Sequence, residues 1–201
     1  MPVETRLNKD GATREQEMSS LSLVTVIVVL ATVTMTFGAL IAVFFYRSQD
    51  SQFWGRLRIS PILWLTTAIL LASSFSFEMA RQHLTRNDQI GFHRLMKWTT
   101  GLAVLFLLGQ IAAGFQILHS GVVLAKNPHS WFVFLFSGLH GVHIMAGLVG
   151  LGYLLVRTKE PAGGPRFQMT TRVVARSVSI CWHYLGFLWL LMFALLLFWK
   201  R

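Results

Sequence analysis

Ser137-Gly138-Leu139-His140-Gly141-Val142-His143-Ile144-Met145-Ala146-Gly147 sets two histidines and three glycines inside an otherwise apolar run, 131–156, that is long enough to cross a bilayer. Imidazoles at membrane depth are expensive, and they normally face a neighbouring helix or a pathway, so both are candidates for a functional site. Glycines beside them let a second helix approach until backbones touch. The stretch therefore reads as an interface within a membrane assembly.

The rest of the chain agrees with that setting. Of 201 residues, 54% are hydrophobic and only 13% charged, against about a quarter charged in soluble domains. The apolar residues fall in five blocks, at 21–46, 61–80, 98–118, 131–156 and 178–199. Each reaches the roughly 20 residues that a helix needs to cross the hydrocarbon core. In lipid every backbone polar group must be satisfied internally, which leaves helices or closed barrels. The blocks lack the alternation of barrel strands. The expected fold is all-α: a polytopic membrane protein with a polar tail at 1–20 and a five-helix domain at 21–201.

The first block is not a secretory signal. Its polar flank holds Arg6, Lys9 and Arg14 but also Glu4, Asp10, Glu15 and Glu17, and it ends on Phe44-Phe45-Tyr46-Arg47 rather than on small residues. Cys181 is the single cysteine, which excludes an internal disulfide and a cysteine cluster. The formal charge is +10. The basic residues sit in short connections, which points to anionic headgroups and topology rather than nucleic acid. Twelve Lys and Arg lie on the side of the N-terminus and six on the other. The positive-inside rule then puts the N-terminus in the cytoplasm and the C-terminus outside, in a bacterial inner membrane or its equivalent. Trp54, Trp98, Trp131, Trp182 and Trp199 lie near span ends, as interfacial anchors do.

Few polar residues interrupt the spans. Glu78 is the one carboxylate within them, with Arg81 one turn later. It reads as a surface ion pair, with a headgroup or proton partner as the other option. Gln110, mid-span, reads as an amide bonding a neighbouring helix. His140 and His143 share a helix face, three residues apart. Either could take a haem together with His183, although a bundle haem needs facing pairs and the carboxylates of non-haem sites are missing. Hydrogen-bonded, helix-fastening imidazoles are the favoured alternative. No phosphate loop, catalytic triad or carboxylate pair is present. The residues alone leave an accessory membrane subunit, a small b-type cytochrome or a carrier, and the lack of internal repeats weighs against the last.

Four elements carry a resemblance. The stretch from Ser137 to His143, with Gly147, resembles the Gly-x-His-Gly-x-His-Val element of subunit III of the haem-copper oxidases, the cytochrome c and quinol oxidases. Trp182-His183-Tyr184-Leu185-Gly186-Phe187-Leu188-Trp189 resembles that family's Trp-His-Phe-x-Asp-x-x-Trp element. Leu70-Leu71-Ala72-Ser73-Ser74 with Ala80 resembles its double-serine helix, and Leu107-Leu108-Gly109-Gln110 its helix ending in Gln-x-x-Glu. The elements run in order from about residue 21 to 199, as in the five-helix members.

The resemblance implies a non-catalytic subunit without haem or metal of its own, packed on the catalytic subunit I and among the other oxidase subunits. It implies helices parted around a phospholipid-filled cleft, within a complex that reduces O2 and translocates protons. Gly138, His140, Gly141, His143, Gly147, His183, Trp189 and Gln110 would then be structural or interface residues, with Glu78 and Arg81 at a lipid or surface position. Thr34, Ala113 and Gly186 stand where the family carries two glutamates and an aspartate. These losses mark a divergent member and remove the carboxyls on which a proton relay would depend. A quinol oxidase or a nitric-oxide-reductase-associated branch is the alternative within the family.

Overall fold

The computed structural model describes residues 3–48, 61–86, 88–119, 128–158 and 165–198. Trp54, Trp199 and residues 159–164 lie outside them, as do the side chains of 1–19, His119 and His129. Five helices follow in order: α1 (Val3–Ser48), α2 (Pro61–Thr85), α3 (Gln89–His119), α4 (Pro128–Arg157) and α5 (Pro165–Phe198). All five are long and apolar enough to cross a membrane, and the described residues contain no strand. The chain is a multi-pass membrane protein. The polar residues from Val3 onward continue the first helix, and α3 begins at Gln89 rather than Trp98.

The α2–α3 turn shows why that helix starts early. Asp88 caps α3: its Oδ1 accepts the Gly91 N–H at 2.9 Å and its carbonyl accepts that of Phe92 at 3.1 Å. An aspartate there satisfies a donor that the first helical turn leaves open. Its Oδ2 lies 2.8 Å from His83 Nδ1 at the end of α2. A side chain at Gly91 would strike Asp88 Oδ2 and His83 Nδ1, so it would have to displace this pair.

The α2–α3 contact is the most extensive; α3 also packs on α4, α4 on α5, and α5 back on α2. These four close a ring, and α1 lies on its flank against α5 and α4. The interior is filled by large side chains from every helix, among them Phe37, Phe77, Phe106, Ile144, Trp182 and Trp189. Phe44 of α1 meets Phe132 and Phe136 of α4 edge-on, with ring centroids 5.7 and 6.1 Å apart. Outward positions are just as apolar: Met35, Phe75 and Val149 are exposed. That distribution is expected when the surrounding solvent is lipid.

Candidate functional site: the polar seams of the bundle

The histidines are held in unlike ways. His140 is 1% exposed and sits among Trp189 (centroid 5.4 Å), Phe37 (6.2 Å) and Phe106 (6.4 Å), so its ring joins α4 to α5, α1 and α3. Neither of its nitrogens has a hydrogen-bond partner among the described residues. The expectation of hydrogen bonding is therefore corrected at this position. Ring-to-ring packing holds His140, because apolar aromatic faces surround it. His143 does bond: its Nδ1–H donates to the Leu139 carbonyl one turn back at 2.7 Å, and its ring packs on Phe37 at 5.5 Å. His183, half-exposed on α5, lies against Phe77 and Glu78 of α2.

The glycines of α4 also divide. A Cβ on Gly147 would stand 3.2 Å from both Cε3 and Cζ3 of Trp182, and one on Gly150 would stand 3.3 Å from Val178. There α4 and α5 approach closely. A Cβ on Gly138 or Gly152 would meet nothing within 4 Å, and one on Gly141 only Leu107 at 3.9 Å. Within this chain those three do not serve close helix packing. Gly138 and Gly141 instead floor an apolar groove of about 330 Å³ between α3 and α4, which Gln110, Gly114, Phe134 and Ser137 also line.

Two adjacent threonines on α2 organise the polar contacts on this side of the bundle. Thr66 Oγ1 accepts the Gln110 amide of α3 at 3.0 Å, and Thr67 Oγ1 accepts the Trp189 indole N–H of α5 at 3.0 Å. Both hydroxyls donate to the Leu63 carbonyl, at 3.1 and 2.7 Å. Gly109 makes the first contact possible, because any side chain there would strike the Thr66 methyl. Sequence reasoning found Gln110 and Trp189 but missed Thr66-Thr67. A threonine in a helix routinely back-bonds its own chain, so its type alone gives no sign of a partner. Farther along, Thr99 Oγ1 sits 3.0 Å from Ser76 Oγ, and Ser73 Oγ donates to the Thr99 carbonyl at 3.3 Å. These bonds tie the double-serine segment to α3.

Glu78 bridges two helices. One carboxylate oxygen lies 3.3 Å from Arg81 Nη2, and the other 3.8 Å from His183 Nε2 on α5. The three positions that lack the family's acids have local partners or packing. Thr34 Oγ1 donates to the Leu30 carbonyl and accepts from the Tyr184 hydroxyl at 2.5 Å. Gly186 faces Ser74 Oγ, and Ala113 is buried. Among the described residues no three His, Cys, Asp or Glu side chains gather as a metal site would require. The polar chemistry of this arrangement joins helices.

Five spans, seams of hydroxyl and amide bonds, and an enclosed aromatic–imidazole cluster define a multi-pass helical membrane protein. No protein-family model matches the chain. It is 30% identical over 176 residues to the probable cytochrome c oxidase subunit 3 of Nocardia farcinica, covering 86% of this chain and 85% of that protein. It is 29% identical over 177 residues to the protein of the same description from Mycobacterium leprae, with the same coverage. To the cytochrome c oxidase subunit 3 of a Synechocystis species it is 24% identical over 131 residues, 65% of this chain and 54% of that one. The chain belongs to the cytochrome c oxidase subunit 3 family.

Proposed function

We propose that this chain is the subunit III of a cytochrome c-type haem-copper terminal oxidase, packing on the catalytic subunit I and stabilising it while carrying neither haem nor metal itself. The observation that carries the reading is the match to cytochrome c oxidase subunit 3 relatives over 86% of the chain. Their descriptions do not favour a quinol oxidase. The absence of a cofactor is supported by the surroundings of the imidazoles. His140 is enclosed by carbon rings, His143 uses Nδ1 on its own backbone, and His183 faces a carboxylate. The α3–α4 groove, apolar but for Gln110 and Ser137, suits a phospholipid acyl chain. The loop charges support a cytoplasmic N-terminus and an external C-terminus in a bacterial inner membrane.

Extraction of the tagged chain in mild detergent tests the reading. A larger haem-bearing chain should accompany it, and the chain separated from its companions should be colourless. A reduced-minus-oxidised haem spectrum from the lone chain would replace this reading with a small b-type cytochrome. Substrate flux into vesicles holding this chain alone would point to a carrier.

A further inference from the structure

We draw no further inference here: the strongest candidate, the apolar groove between α3 and α4 with Gln110 and Ser137 on its walls, belongs to the lipid reading already proposed, and nothing in the structure shows what else covers it.

Discussion

Replacing Gly147 by alanine distinguishes the close α4–α5 contact from the open positions on the same helix. The new methyl carbon would sit 3.2 Å from two ring carbons of Trp182 and 3.6 Å from Leu185 Cδ1. Carbon pairs are comfortable at about 3.5–4.0 Å, so the indole must move by a few tenths of an ångström. Trp182 is 1% exposed and packed on all sides, which leaves it little room to yield. Forcing an extra methyl into a filled core typically costs about 1–3 kcal/mol. Alanine recovers about 1 kcal/mol through helix propensity. The net change is a loss of up to about 2 kcal/mol. At Gly138 the same substitution meets nothing within 4 Å, so only the propensity gain of up to about 1 kcal/mol remains. The two variants should thus shift in opposite directions, or at least differ by about 1–3 kcal/mol. Thermal unfolding of the purified chain in one detergent, followed by circular dichroism, reads the difference. A Gly147→Ala protein as stable as Gly138→Ala would refute the close-contact assignment. Trimming the indole in Gly147→Ala/Trp182→Leu should give non-additive losses, because neighbours in contact do not act independently.

His140→Phe should stabilise the chain by about 1 kcal/mol, since a buried polar group without a partner costs about 1–3 kcal/mol and a ring of similar shape fits the same aromatic surroundings. A lowered melting temperature would show that the imidazole has a partner. In a double-mutant cycle, Gln110→Leu and Thr66→Val should couple by about 0.6 kcal/mol, the average for interhelical hydrogen bonds in membranes. Gln110→Leu with Thr67→Val, which bonds Trp189 instead, should be additive. The Gly91 N–H and then the His83 ring hold the Asp88 carboxyl below its ordinary value of 3.8. Its stabilisation of the α2–α3 turn is therefore fully present above that pH and is lost as the pH falls through the lower folded-state value. Asp88→Ala should lower the melting temperature at neutral pH and flatten its acid dependence. Asp88→Asn should keep the cap yet lose the same acid dependence, and melting scans between about pH 3 and pH 6 would check both.

Much of the site could be read from residue type and spacing. Gln110 sat mid-span with no charge to pair, so an interhelical bond was the economical reading, and the i, i+3 spacing of Glu78 and Arg81 gave their ion pair directly. His183 as a second partner of Glu78 could not be foreseen, because the two are brought together only where α5 crosses α2. The same holds for the glycines of α4. Gly138, Gly141, Gly147 and Gly150 are equivalent as letters, and a neighbouring helix distinguishes them only by lying beside two and not the others. His140 shows the limit from another side. A polar residue in an apolar span suggests a hydrogen bond, yet Phe37, Phe106 and Trp189, drawn from three other helices, enclose it in carbon.

The order and number of the membrane helices follow from the sequence alone, because the bilayer sets a minimum apolar length and forbids unsatisfied backbone within it. The motif order also follows, and with it the family. Which side of each helix turns inward was decided by the tertiary structure. In water a helix declares its buried side through an apolar stripe. In lipid the outer side is as apolar as the inner one, so Phe75 outside and Phe77 inside differ in nothing that composition records. Packing of large rings against small residues, and the pairing of a few hydroxyls, selected the faces that meet.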